Sequence, residues 1–203
     1  MIIAAALLLG ACSASPASNE KNVASPVSSP RQVPATSSGA TTPVGSAEPA
    51  SAMLKCADYI DAQPPPDDFQ IVLGVVALPT SPKAAALGTS AGTREPDPSL
   101  RLFAKTGLVI RAETRFELIV PEQPTGHLAI GWGPLSTPSR RVIVANCPDG
   151  RHTGWLAYPG GYWLSAPACI SLIVRAGGKD QVVHIGLGTP CPGQQPPQGP
   201  SDR

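Results

Sequence analysis

The chain has few of the residues from which most catalytic, metal-binding and nucleic-acid-binding sites are built. Of its 203 residues only 14% are charged, the formal net charge is +1, and there are three His, three Trp, three Tyr and three Phe. So even a balance argues against a nucleic-acid partner, because phosphate neutralisation needs a concentrated basic surface. The basic residues Arg111, Arg115, Arg140, Arg141, Arg151, Arg175 and Lys179 are scattered and read as solvated surface. His127, His152 and His184 stand apart from one another and from every cysteine. Zinc sites use closely spaced Cys or His pairs, so neither a metal nor a cofactor is expected. There is no phosphate loop, no dinucleotide fingerprint, no paired-carboxylate arrangement and no internal repeat. Asp67-Asp68 is an acidic pair without further oxygen ligands nearby in sequence, and reads as a solvated strand entry rather than a calcium site.

Residues 13–52 show the most complete absence: they contain no Phe, Trp, Tyr, Leu or Ile. Ser, Pro, Ala and Thr dominate instead, and the prolines at positions 16, 26, 30, 34, 43 and 49 interrupt any helix or ladder. Such a segment has too little apolar side chain to offset the entropy of ordering, so it is expected to be a disordered linker. A flexible chain of this length reaches about 35 Å end to end. Pro192 to Arg203 is a second Pro/Gln-rich stretch, expected to carry no fold.

Ahead of the linker, Ile2 to Leu9 is an uninterrupted apolar run that ends in Leu9-Gly10-Ala11-Cys12. The run is far short of the ~20 residues that span a bilayer, but has the length of a signal-peptide apolar region. Leu9-Gly10-Ala11-Cys12 resembles the lipobox of bacterial lipoproteins. That resemblance implies export, diacylglyceryl transfer to the Cys12 thiol, and cleavage of residues 1–11. The mature protein would then be held at the extracytoplasmic face of the cell membrane by lipid, with residues 12–52 as its spacer.

The expected folded domain runs from residue 53 to 191, an ordinary size for one hydrophobic core. Its pattern is all-β. Phe69 to Leu78 is a β-branched run between prolines, read as one strand. Phe116, Leu118 and Val120 alternate onto one face, and so do Leu128, Ile130 and Trp132. Arg141 to Ala145 follows. Ile170–Arg175 and Gln181–Leu187 flank Gly177-Gly178, the clearest hairpin signal in the chain. The only helical candidate is the short Ser81–Leu87 stretch. Many short strands with Gly/Pro turns predict an antiparallel β-sandwich, broadly immunoglobulin-like.

Besides Cys12 the chain holds Cys56, Cys147, Cys169 and Cys191. An even number in an exported domain reads as two disulfides, with three possible connectivities. Cys56 and Cys191 bracket the domain, and Cys147 and Cys169 flank its aromatic segment, which favours pairing Cys56 with Cys191 and Cys147 with Cys169.

Two motifs could carry function. Gly88-Thr89-Ser90-Ala91-Gly92 matches the G-x-S-x-G nucleophile elbow, in which a strand-to-helix turn exposes the serine. Here Arg94-Glu95-Pro96-Asp97-Pro98 follows where that helix should begin, so a loop between strands is the expected reading. The second motif is Trp155-Leu156-Ala157-Tyr158-Pro159-Gly160-Gly161-Tyr162-Trp163. Trp155, Tyr158, Tyr162 and Trp163 could line a sugar- or peptide-binding surface, or could fill the core, with Pro159-Gly160-Gly161 as a hairpin turn. The expected function is a non-catalytic binding or scaffolding module of the cell envelope. It would act on a wall polymer or an envelope protein, or serve as an accessory subunit of a membrane complex. A serine hydrolase using Ser90 is the alternative.

Overall fold

The computed structural model describes residues 51–80, 82–92, 97–122 and 127–198. Cys12, the signal-peptide segment and the expected linker up to residue 50 lie outside them; the last two residues of that linker, Ser51 and Ala52, open the first strand instead of being disordered. The described residues form an all-β sandwich with a hydrophobic core between its layers. One layer is a five-stranded sheet of β1 (Ser51–Leu54), β9 (Arg141–Val144), β7 (Phe116–Ile119), β12 (Ala168–Ala176) and β13 (Lys179–Leu187), in that order. The β1–β9 pair is parallel, and the other strand pairs of this sheet are antiparallel. Period-two patterning explains its buried face: Phe116, Leu118, Ile170, Leu172 and Val174 point inward, while Glu117, Ile119, Ser171 and Ile173 stay half-exposed between them.

The second layer consists of two four-stranded sheets. One runs β10 (Trp155–Tyr158), β6 (Leu108–Arg111), β3 (Val76–Leu78), β2 (Gln70–Val72). The other runs β4 (Ser90–Ala91), β5 (Leu102–Lys105), β11 (Gly160–Leu164), β8 (Leu128–Trp132). They are joined through two chain segments that each pass from one sheet into the other. Residues 102–111 supply β5 then β6, and residues 155–164 supply β10 then β11. The two segments pair along their length, Trp155 to Tyr158 with Arg111 to Leu108 and Gly161 to Leu164 with Lys105 to Leu102. Between these stretches the ladder bends, held by a bond from the Thr106 amide to the Gly160 carbonyl at 3.0 Å.

Glycine makes the bend possible. A Cβ on Gly160 would run into the Gly131 carbonyl oxygen and the Trp132 Cα, and one on Gly161 into the Ala104 carbonyl oxygen. Trp132 closes the corner, its indole N–H donating to the Thr106 carbonyl at 3.1 Å and the Gly133 amide donating to the Pro159 carbonyl at 2.8 Å. Pro159-Gly160-Gly161 is therefore not the turn of a hairpin, as its composition suggested. β10 and β11 do not pair with each other.

Two other expectations change. Phe69 to Leu78 is a hairpin rather than one strand, because Leu73 and Gly74 both take positive φ (48° and 74°) and reverse the chain. Ser81–Leu87 forms no helix across its described residues; Ser81 itself lies outside them. Only the Ala84 amide bonds back to the Thr80 carbonyl (3.1 Å). The Ala86 and Leu87 amides are taken by the Gln195 and Gly186 carbonyls, so this segment covers the free edge of β13 instead. The C-terminal stretch also departs from expectation. Gln194 is buried, its Oε1 accepts from the Gly186 and Cys191 amides at 3.1 Å each, and the Gln195 carbonyl accepts from the Ala86 amide, so the start of this stretch, through Gln195, packs onto the domain. Gly186 has no Cβ to collide with that Gln194 oxygen.

All four cysteines among the described residues are in disulfides, but the pairing is Cys56–Cys147 and Cys169–Cys191, not the one expected. The parallel β1–β9 pair explains the first bridge. Leu54 and Val144 are register partners, so the chain leaves both strands side by side and brings Cys56 and Cys147 together just beyond. Cys169 sits beside Gly186 in the β12–β13 ladder, and the chain turns back after β13 to present Cys191. The first bridge spans 91 residues of sequence and the second 22. Loop-closure entropy assigns them about 4.6 and about 3.4 kcal/mol. Urea unfolding should therefore show the Cys56→Ala/Cys147→Ala protein to be less stable than Cys169→Ala/Cys191→Ala by about 1 kcal/mol; the reverse order would contradict an entropic role for the longer closure.

Candidate functional site

The four aromatic residues singled out in the sequence divide between the two faces of the second layer. Residues of even number on β10 and β11 point inward, so Tyr158 and Tyr162 lie fully buried in the main core. Trp155 and Trp163 are odd and lie on the outer face. There they remain only 6% and 8% exposed, because neighbours cover both rings. Trp155 packs with Ala77 and Val109 under the Arg111 guanidinium, 4.5 Å from its ring centroid. Trp163 packs with Leu100 and Ala129 against Phe103, ring centroids 4.8 Å apart. These are two small satellite cores. They do not present a continuous ring surface, and burial accounts for all four side chains.

Inside the core the tyrosines differ. The Tyr158 hydroxyl donates to the Cys56 carbonyl at 3.3 Å; burial, with the charge of Asp58 and the neighbouring Tyr59, pushes its pKa up to about 12. The Tyr162 ring meets Trp132 edge-on at 5.5 Å, and its hydroxyl has no hydrogen-bond partner among the described residues. Burial alone raises its pKa well above the ordinary phenol value.

Ser90 sits in β4, a two-residue extended strand at the edge of its sheet, paired with Phe103 of β5. Its hydroxyl is exposed, with the Phe103 carbonyl as acceptor at 3.5 Å. Ser90 is thus extended and paired, and among the described residues it does not stand on the strand-to-helix turn of a nucleophile elbow; residues 93–96, which follow the motif, lie outside them. His127, His152 and His184 are exposed. His184 meets Ser171 across the β12–β13 ladder, with 3.3 Å between the Ser171 Oγ and the imidazole Nδ1. Asp67 and Asp68 form an exposed turn. Among the described residues no three His, Cys, Asp or Glu side chains gather as a metal site.

Sequence reasoning missed two concave surfaces. A groove of about 300 Å³ runs beside β1, with Met53, Trp132, Leu135 and Ser136 on its walls. Met53 and Leu135 are 66% and 88% exposed, unusual for large apolar side chains. A more open depression of about 540 Å³ lies where three connections meet, the β2–β3 turn, the turn before β7 and the β12–β13 turn. Leu73 and Val75 come from the first, Arg115 from the second, and Ala176, Gly177 and Lys179 from the third. The sequence signal for it was thin: turn residues and two cations 64 positions apart do not announce a common site.

A third loop is fixed by one carboxylate. Asp149 accepts the Gly154 amide at 2.6 Å through Oδ2 and the Thr153 and Arg151 amides at 3.2 and 3.3 Å through Oδ1. Desolvation would raise its pKa, but these bonds and the His152 amide outweigh it and hold the carboxyl below the ordinary carboxylate value. The loop follows Cys147, so it is tied down at its start by the longer disulfide.

No protein-family model matches this chain, and no curated protein is similar to it.

The buried rings give a direct test. Trp155→Ala or Trp163→Ala should each lower unfolding stability by about 3 kcal/mol or more, as expected for truncating a buried aromatic. Tyr162→Phe should leave stability unchanged or raise it by about 1 kcal/mol, because it removes a buried hydroxyl that has no partner. Denaturant titrations separate these outcomes. An unaltered midpoint in either Trp variant would reopen the reading of that ring as a binding surface.

Proposed function

We propose that this chain is a non-catalytic binding or scaffolding module of the cell envelope, anchored by lipid at Cys12. The observation that carries this reading is the pair of disulfides closing an all-β domain immediately downstream of a lipobox-like segment and a Ser/Pro/Ala/Thr-rich linker. Disulfides of this kind persist in oxidising, extracytoplasmic compartments, which agrees with export. The extended geometry at Ser90 favours binding over hydrolysis. A wall polymer or an envelope protein is the proposed partner class. A flexible linker of some 40 residues would let the domain search for its partner within about 35 Å of the anchor.

The anchor is tested first. Wild-type protein expressed in its native envelope should incorporate labelled palmitate and fractionate with membranes. Cys12→Ala should lose the label and move to the soluble extracytoplasmic fraction. Wild type without label would overturn the lipid anchor and leave a simply secreted domain.

A further inference from the structure

We propose that the depression formed by the β2–β3 turn, the turn before β7 and the β12–β13 turn binds an acidic group, carboxylate or phosphate, carried on an apolar moiety. This deepens the binding role proposed above by assigning it a site and a ligand class.

Charge is the first argument. Arg115 and Lys179 both line the depression, both are exposed, and neither side chain forms an ion pair or hydrogen bond among the described residues. Nearby acids do not cancel them. Asp180, next to Lys179, is committed to Arg175 through two hydrogen bonds of 2.8 and 2.7 Å. Glu117 is committed to Arg141 at 2.8 Å. Glu113, on the same turn as Arg115, does not line the depression. Two cations without counter-ions facing one concavity are complementary to an anion.

Backbone geometry is the second. Gly177 and Gly178 both take positive φ, 55° and 76°, and form the two-residue loop between β12 and β13. They lie beyond the ladder, which closes at Ala176 and Lys179, and no backbone acceptor among the described residues takes up their amides. Successive amides in such a turn make a concavity suited to an anion. The β2–β3 turn also carries two left-handed residues, Leu73 and Gly74 at φ 48° and 74°, in a three-residue loop that the Val75 amide closes onto the Val72 carbonyl. A leucine in the left-handed region costs roughly 1 kcal/mol or more, so the fold holds Leu73 there against its local preference. The result is that Leu73, with Val75 and Ala176, gives the depression an apolar side next to its two cations. A bare inorganic anion would leave that side unused. An acid with a short hydrocarbon group would use both.

The test uses the full chain carrying Cys12→Ala, so that its outcome does not depend on whether the lipid anchor is real. Amide resonances are followed by NMR during titration with hexyl phosphate, heptanoate, inorganic phosphate and hexylammonium. Saturable shifts centred on Gly74, Thr114, Gly177 and Gly178 are expected with hexyl phosphate or heptanoate, and the tighter of the two identifies the acid. Inorganic phosphate should bind at least fivefold more weakly, and hexylammonium should not compete. Arg115→Gln/Lys179→Gln should weaken binding at least tenfold while leaving the rest of the amide spectrum in place. Both residues are exposed, so this variant is expected to fold. Absence of binding by both acids, shifts centred elsewhere, or undiminished affinity in the double variant would each overturn the proposal.

Discussion

The bend in the Leu102–Arg111 and Trp155–Leu164 ladder is the constraint on which the second layer depends. Gly160 and Gly161 lie so close to the Gly131, Trp132 and Ala104 backbones that no side chain fits at either position. That closeness lets β11 pair with β8 on one side and β5 on the other, Gly161 facing Gly131 and Lys105 at once. Remove it and β8 loses β11, its one strand neighbour among the described residues, and keeps the bridge from Ile130 to Ser139. Trp132 then loses the corner where its N–H reaches Thr106. The glycines act by what they omit, as glycine does wherever two backbones must approach closely.

The ends of the five-stranded sheet are managed differently. β13 would be an open edge, but residues 86–88 bridge to it at Leu187, and Gln194 from the C-terminal stretch bonds the Gly186 amide. The Cys169–Cys191 disulfide fastens that return segment to β12. β1, at the other end, is held by its pairing to β9 and by the Cys56–Cys147 bridge just beyond. Four residues of parallel ladder are a weak hold on a terminal strand, so the covalent bond does for β1 what added length would otherwise do. The edges of an antiparallel sandwich are where unwanted pairing begins, and here both lie next to a disulfide.

How much of this was legible depended on whether the signal was local. The Gly177-Gly178 hairpin and the alternation of Phe116, Leu118 and Val120 were read correctly, because strand period and turn chemistry sit within a few residues. The strand period even held the answer for the aromatic segment. Even positions from Leu156 to Leu164 face inward and odd positions outward, which separates the tyrosines from the tryptophans without any structure. Pro159-Gly160-Gly161 obscured it, since the same composition serves a turn and a close crossing, and only the neighbours of Gly160 and Gly161 decide between them. Cysteine pairing failed for a related reason. Ser51-Ala52-Met53-Leu54 carries little strand signal, so its parallel match to Arg141–Val144, which decides the partner of Cys56, was out of sight. The loop-end depression was equally hidden, being assembled from three turns that only the completed topology brings together.

The same topology fixes where the depression lies relative to the first strand. The register places Ser51, where the chain enters β1, opposite Arg141, which pairs with Ile119, which pairs with Ile173. Arg115 lies four residues before Ile119, and Ala176 three residues after Ile173, both toward the same end of the sheet. At roughly 3.3 Å per residue the row of Ser51 and the depression are separated by about 10–13 Å along the strands. β1 therefore starts level with the middle of the nine-residue β12 and runs toward the depression, and the Cys56–Cys147 bridge follows it at that same end. The disulfide that holds the terminal strand thus also steadies the end of the sheet from which the turns carrying Arg115 and Lys179 project.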